Sequence, residues 1–350
     1  MKKNRVTIAL LLGIFLGLST ASHAQDKKFK VATIAFYNIE NFYDTLDTPD
    51  VNDFEFTPAG PNMWNTARYK KKLDNMSDAI SKIGAEILPG GPAIIGLSEI
   101  ENRSVLQDLV NMPKLKVSGY QIVHIDGPDR RGVDVALLYR PAFFRVTAVR
   151  SVRLTVADKP DFRTRDQLVV SGLFYGEPIN VIVNHWPSRS GGEKSSIPLR
   201  RAAAELTRSL VDSIYKTNST AKIIIMGDLN DDPTDASLTE GLRTIGDIDN
   251  VKPGDLFNPG VKLLKDGIGS LAYRDSWNLF DQIIVSEPLL NAKPGELKFM
   301  KSKIFNAGFL TQKDGQYAGY PLRTFSGGAY TGGYADHFPA YIIVAKEIVK

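Results

Sequence analysis

The chain has no cysteine among its 350 residues. That excludes disulfides and a lipid anchor carried on a cysteine. Histidine is almost as scarce, with four in all, and one of them, His23, falls in an N-terminal leader. Zinc sites built by protein alone want Cys or several His, so that class is disfavoured. The donors that remain are carboxylates and amides, which suit a hard cation: Mg²⁺, Mn²⁺ or Ca²⁺. No GxxxxGK[ST] loop and no GxSxG elbow occurs, which demotes nucleotide-triphosphate switching and acyl transfer. There is no Pro/Ser-rich linker, low-complexity tract or helical repeat, and a single domain is therefore expected.

An excess of one charge is also missing. The formal net charge is +4, but Lys2, Lys3 and Arg5 contribute three of those cations, and without residues 1–24 the balance falls to +1. No basic field is left from which to argue nucleic-acid binding. Those first residues have their own pattern. Cations precede the apolar stretch Val6–Leu18, and Ser22-His23-Ala24 supplies small residues at a cleavage position. This predicts a signal peptide over residues 1–24, cut near Ala24, rather than an anchor helix, for which the stretch is short. Residues 25–350 are then expected as a single domain, a soluble monomer exported to periplasm or medium, without stable membrane insertion or a protein partner.

Periodicity supplies the elements. Val31–Tyr37, Ala93–Leu97, Tyr120–Ile125, Val133–Tyr139, Leu168–Tyr175, Ile179–Val183, Ile223–Ile225, Asp281–Ser286 and Ala340–Val344 read as strands. Thr66–Ile83 reads as a helix, with Tyr69, Leu73, Met76, Ile80 and Ile83 on one face and Gly84 suited to its C-cap. Ile197–Ile214 reads as a second, with Pro198 in its first turn. Helices occurring singly between groups of strands favour mixed or antiparallel sheets with outer helices.

Polar clusters sit where these apolar runs stop. Met226–Pro233, MGDLNDDP, follows Ile223-Ile224-Ile225 and presents Asp228, Asn230, Asp231 and Asp232. It is either an Asp/Asn/Pro turn or a site for a divalent cation and a phosphate. Asn38, Glu40, Glu99, His185, Asp336 and His337 are placed alike, and Asp281 opens its strand. Asn38 is equally well a turn residue. Glu99 follows a buried strand, where an acid needs a partner or a metal. His185 in VNHWPSRSGG could be a structural histidine covered by Trp186 and Pro187.

Six segments, taken in order, carry a resemblance: FYNIENFYD (Phe36–Asp44), GLSEIEN (Gly96–Asn102), VNHWPSR (Val183–Arg189), GDLND (Gly227–Asp231), FDQIIVS (Phe280–Ser286) and ADHFP (Ala335–Pro339). This pattern resembles the endonuclease/exonuclease/phosphatase superfamily, the DNase I-like proteins, and most closely its exported bacterial branch. The resemblance implies an α/β fold: a four-layered α/β sandwich with two central mixed or antiparallel β-sheets flanked by helices. It implies an enzyme, a divalent-metal-dependent phosphodiesterase and foremost a nuclease, with water attacking in line. The alternatives are an esterase for phospholipid head groups or for sugar and inositol phosphates, or a non-catalytic binding protein on the same fold.

The resemblance also implies roles. Glu99 is the principal metal ligand, with Asn38 beside it and Asp336 at or near the metal. Asp228 orients or deprotonates water, Asn230 holds the phosphate, His337 donates to it while oriented by Asp281, and His185 is a second donor. Around these, Arg131, Tyr139, Arg189 and Arg323 are candidate substrate contacts. Arg130-Arg131 is either a phosphate grip or a solvated turn. Asp134, in an apolar strand, needs a partner, for which His185 is the expectation. The stretch Tyr317–Tyr334 either stacks bases or packs on itself. Phe54-Glu55-Phe56 is a weak candidate for a membrane wedge.

Overall fold

The computed structural model describes residues 27–349; the expected signal peptide lies outside the described residues. The strands are β1 (Phe29–Phe42), β2 (Ile94–Ile100), β3 (Gln121–His124), β4 (Asp134–Tyr139), β5 (Phe144–Val152), β6 (Gln167–Phe174), β7 (Glu177–His185) and β8 (Lys222–Asp228), followed by the short β9 (Thr244–Ile245), β10 (Leu256–Phe257), β11 (Leu271–Tyr273) and β12 (Ser276–Asn278). Then come β13 (Asp281–Ser286), β14 (Leu297–Ile304), β15 (Phe325–Ser326), β16 (Ala329–Tyr330) and β17 (Ala340–Glu347). The helices are α1 (Thr66–Lys82), α2 (Arg103–Asn111), α3 (Pro113–Lys116), α4 (Glu193–Thr217) and α5 (Gly260–Lys265).

Two mixed sheets form the centre. One has the order β14-β17-β1-β2-β4-β3, the other β5-β6-β7-β8-β13-β10-β9. Side chains from both, among them Ile34, Phe36, Leu137, Val170, Val183, Met226 and Ile342, make the core between them. A second core, with Tyr37, Ile80, Leu97 and Leu106, joins the first sheet to α1 and α2. A third, with Trp186, Leu210, Ile223 and Ile225, joins the second sheet to α4. The order helix, sheet, sheet, helix is the expected sandwich. It arises because the central strands β1, β2 and β8 are apolar on both faces.

Every expected strand and helix is present, with ends moved by a few residues. Gly84, at φ +62°, occupies the left-handed position expected past the end of α1. Helix α4 begins at Glu193, so Pro198 lies in the second turn rather than the first. The carbonyl of Lys194 that it leaves without a donor is on an exposed segment.

Strand direction gathers the polar ends on one side of the molecule. In the first sheet β1 and β2 run parallel and end there, while β4 and β17 run antiparallel and start there. In the second, β7 and β8 are parallel and end there, and antiparallel β13 starts there. The sheets approach closely near this edge: a Cβ on Gly96 of β2 would stand 2.6 Å from Met226 Sδ of β8.

Candidate active site

Register sets the first row of the site. On three adjacent strands, His185 of β7 pairs with Asp228 of β8, and Asp228 pairs with Asp281 of β13. One histidine and two carboxylates therefore stand side by side at the lip of one sheet. His337, three residues before β17, closes over them: its Nδ1 is 2.6 Å from Asp281 Oδ2 and its Nε2 is 3.9 Å from Asp228 Oδ2. His185 Nε2 is 3.6 Å from the same Asp228 oxygen. From the other sheet, Asn38 Nδ2 donates to it at 3.0 Å. Asp228 Oδ1 accepts the backbone N–H of Asn230 at 3.0 Å, and Asn230 Nδ2 donates to the Trp186 carbonyl at 3.0 Å.

The backbone is strained here. Glu40, Asn41, Glu99 and Asn230 all have φ between +47° and +63°. The β1–β2 ladder breaks between Asn38 and Phe42, and the β2–β4 ladder between Ser98 and Ile100. Left-handed conformations in residues with a Cβ cost free energy and persist where surrounding structure over-determines them, as at functional sites. The bulge turns Glu99 so that Oε2 accepts the N–H of Asn41 at 2.8 Å. Glu99 Oε1 has Arg131 Nη1 at 3.6 Å.

Electrostatics separates the two histidines. Burial, followed by Arg165, Arg131 and His337, holds His185 well below the usual histidine range, so it is neutral at neutral pH. Burial also pulls His337 down, but Asp281, Asp336 and Asp228 outweigh it and hold its pKa well above that range. Two imidazoles facing one carboxylate therefore carry opposite protonation bias. Burial pushes Asp228 up to about 6; Asp281 adds to this, while His337 opposes it.

Of the other expected residues, Asp336 pairs with Arg323 at 3.1 Å, and its Oδ1 lies 3.9 Å from His337 Nε2. Arg323 also reaches Glu40 at 3.3 Å. Two substrate expectations require correction. Tyr139 ends β4 opposite Ile94, at the end of the sheet away from Glu99, and packs edge-on against Phe144. Arg189 has its guanidinium taken up by Glu193, Asp231, Asp235 and the Asn230 carbonyl, so it secures the MGDLNDDP loop. A third correction concerns Asp134, whose partner is His124 Nε2 at 3.1 Å and not His185.

The two readings of MGDLNDDP divide by residue. Asp231 is a structural anchor: its Oδ1 is 2.6 Å from Nε of fully buried Arg200, and its Oδ2 accepts from Ser237. Asp232 accepts the N–H of Leu279 at 2.7 Å and shapes the turn. The stretch Tyr317–Tyr334 also divides. Phe325 packs on Trp64 and Tyr330 packs on Phe325, whereas Tyr317 and Tyr320 line an open cavity of about 900 Å³ that reaches Arg323 and Asp336. In Phe54-Glu55-Phe56, Phe56 is buried against Tyr43, whereas Phe54 and Glu55 are exposed.

Sequence reading missed the cations behind the site. Buried Arg165 donates to the carbonyls of His185 and Trp186 and pairs with Asp129 at 3.1 Å. Lys72 is also buried, donates to Thr324 Oγ1 at 2.7 Å and to the Tyr334 carbonyl, and lies 4.0 Å from Glu40. Burial lowers its pKa to about 8. In the sequence it stands within Lys70-Lys71-Lys72, and only its place beside Leu73 on the apolar stripe of α1 sets it apart.

The donor set fits a hard divalent cation. Glu40, Glu99, Asp228, Asp281 and Asp336 crowd one edge, and Glu40 is raised by burial and then by Asp336. Asp281 Oδ1 is buried without a hydrogen-bond partner. A cation relieves this concentration of negative charge, and oxygen donors suit Mg²⁺-type ions. Elsewhere, His124, Asp126 and Asp134 bring donor atoms within 4.8 Å of one another, but this trio contains none of the expected ligands.

A model of the Endonuclease/Exonuclease/phosphatase family matches residues 33–346. No curated protein matches the sequence. Among solved structures, the chain is similar to D. rerio TDP2 complexed with single-strand DNA product, at 14% identity and TM-score 0.55, over 90% of this chain and 98% of that one. It is similar to the human Nocturnin catalytic domain with bound sulfate, at 15% identity and TM-score 0.52, over 92% and 98%. It is also similar to a mannosyl-6-phosphatase of Bacteroides thetaiotaomicron VPI-5482, at 18% identity and TM-score 0.53, over 91% and 100%. At such identities the likeness is one of fold.

Proposed function

The chain belongs to the endonuclease/exonuclease/phosphatase family, whose enzymes hydrolyse phosphoric esters, and from that premise we propose that it is a divalent-metal-dependent phosphodiesterase acting on nucleic acid. The observation that carries this reading is the convergence of neutral His185, protonated His337 and Asn38 on a single oxygen of Asp228. A phosphodiester resists attack because its anion repels nucleophiles. Three things are needed: neutralised charge, a positioned water and a proton for the leaving oxygen.

Each is assigned to residues of this chain. Asp228 orients the attacking water and takes its proton. Asn230 holds a non-bridging oxygen. His337, kept protonated by Asp281, donates to the scissile phosphate and gives its proton to the leaving oxygen as the P–O bond breaks. His185, neutral, is the second hydrogen-bond partner, and Arg165 fixes the backbone beneath it. Glu99, Asn38 and Asp336 would hold the cation, which when bound supplies Lewis-acid stabilisation of the phosphoryl oxygens. Arg131 and Arg323 border the site as the two cations nearest Glu99 and Asp336. Export through residues 1–24 belongs to the same proposal and is checked by N-terminal sequencing of the mature protein.

A substrate panel tests the reading: plasmid DNA, RNA, bis(p-nitrophenyl) phosphate, sphingomyelin and inositol polyphosphates, each with Mg²⁺, Mn²⁺, Ca²⁺ or EDTA. Nucleic acid is cut with a metal and spared with EDTA. Hydrolysis that survives EDTA removes the metal from the mechanism. Turnover of lipid or sugar phosphate with nucleic acid left intact transfers the activity to those esters.

A further inference from the structure

Apart from Asp336 and Arg323, the residues lining the cavity of about 900 Å³ have no part in the chemistry assigned above. One wall is the β11–β12 hairpin, whose two turn residues, Arg274 and Asp275, both have positive φ, +49° and +63°. A two-residue hairpin turn of this kind normally takes Asn-Gly or Gly-Gly. Here two charged residues bearing a Cβ occupy it, and Tyr320 holds the second of them, Asp275. Tyr320 Oη donates to Asp275 Oδ1 at 2.6 Å and accepts the Asp275 N–H at 2.9 Å. Strain held by a clamp marks a segment whose position matters. The hairpin is also seated on the catalytic edge: Trp277 stacks on Phe338, next to His337, with centroids 6.1 Å apart.

The clamped wall presents aromatic faces to the cavity. Tyr273 is 63% exposed and Tyr317 43% exposed, although both line a recess. The Arg274 guanidinium lies 5.2 Å from the Tyr273 ring centroid, and Gln312 and Gln316 supply amides. Aromatic and guanidinium faces with amides at the rim suit a planar heterocycle attached to a hydroxylated ring. The recess is of the size of small-molecule sites. A base inside a duplex cannot enter it without leaving its stack.

We propose that this recess seats the base and sugar of one unpaired nucleotide next to the scissile phosphate, so that the enzyme selects single-stranded or frayed nucleic acid over duplex. The proposal rests on the nuclease reading above.

Two measurements on the full-length mature protein test it. In the first, calorimetry in the presence of Mg²⁺ compares dAMP, inorganic phosphate and glucose 6-phosphate. dAMP binds at least tenfold tighter than phosphate, and Tyr273→Ala and Tyr317→Ala each reduce that advantage by roughly 5- to 150-fold or to nothing, the range expected for a lost base stack. In the second, kcat/KM is compared for one oligonucleotide as a single strand and as a blunt duplex; the single strand is favoured at least tenfold and the tyrosine variants narrow the ratio. Thermal melts confirm that both variants fold. Equal affinity for dAMP and phosphate, tighter binding of glucose 6-phosphate, or indifference to strandedness overturns the proposal. A protein that hydrolyses another ester but cuts no nucleic acid refutes the nuclease reading itself, and the binding arm then decides whether the recess takes a nucleotide.

Discussion

Asp281→Asn isolates the electrostatic part of the site. The exchange keeps shape and an acceptor near His337 Nδ1, now 2.6 Å from a carboxylate oxygen, and removes one charge. Of the carboxylates that raise His337, Asp281 acts most strongly; Asp336 and Asp228, each 3.9 Å from Nε2, act less. Once Asp281 is neutral, the strongest charge opposing burial is gone, and the imidazole releases its proton at lower pH than in the wild type. Loss of a positioned acid costs roughly 10²–10⁴ in rate, or about 3–5 kcal/mol of barrier. Three readouts follow. At pH 7.5 kcat for bis(p-nitrophenyl) phosphate with Mg²⁺ falls in that range. The alkaline limb of the pH–rate profile moves to lower pH. The His337 ring resonances titrate at lower pH in NMR. Stability shows the same sign: His337 has a folded-state pKa above its unfolded value, so its ion pair stabilises fully below the unfolded pKa and fades as pH rises through the folded one. The melting difference between wild type and variant is therefore greatest in mild acid and shrinks in base. A variant with kcat within threefold of wild type and an unmoved profile would refute the assignment of His337 as the donor.

Asp228→Asn abolishes turnover, yet raises the melting temperature at pH 8, because burial holds this carboxyl at about 6, above its unfolded value, and the native state pays to ionise it. In the wild type the rate falls as pH drops through about 6, which a pH–rate profile reads directly. Glu99→Gln weakens Mn²⁺ binding at least tenfold by electron paramagnetic resonance titration, and EDTA silences the wild type. Arg200→Met takes the buried partner from Asp231, which keeps Arg189 at 3.1 Å and Ser237, and costs about 1.5–3 kcal/mol in chemical denaturation, the worth of a hydrogen bond to a charged group.

The central strands were legible because they are apolar on both faces and end abruptly in polar residues; β8 into Asp228 is the clearest. The edge strands β5 and β14 were not. Facing solvent along much of their length, they carry Arg145, Arg150, Lys298 and Lys301, and they lack the apolar run that reveals a buried strand. Helix α2 was overlooked because it is short, although Asn102 caps it by accepting from the N–H groups of Ser104 and Val105. In the site, residues at strand ends could be read from where apolar runs stop. Direction along a strand could not: Tyr139 and Asp134 share β4 but lie at opposite ends of it, and antiparallel pairing alone decides which faces the cleft. The buried cations Lys72 and Arg165 were invisible for a related reason, since sequence does not say which charged residue a fold will enclose.

The pairing of β1 with β17 has a consequence for the timing of assembly. Phe29 stands opposite Glu347, and Phe36 opposite Ala340, so the middle of one sheet is joined by segments about 300 residues apart. Asn38 lies at one end of that seam, and Asp336 and His337 just before its other strand. Until the late segment docks, β1 has an open edge, Asp281 has no imidazole, and Arg323 has no Asp336 to hold. Contacts this distant in sequence form slowly, after local ones. Forms truncated before His337 are therefore expected to lack the proposed activity, and refolding assays are expected to recover it only with closure of the sheet.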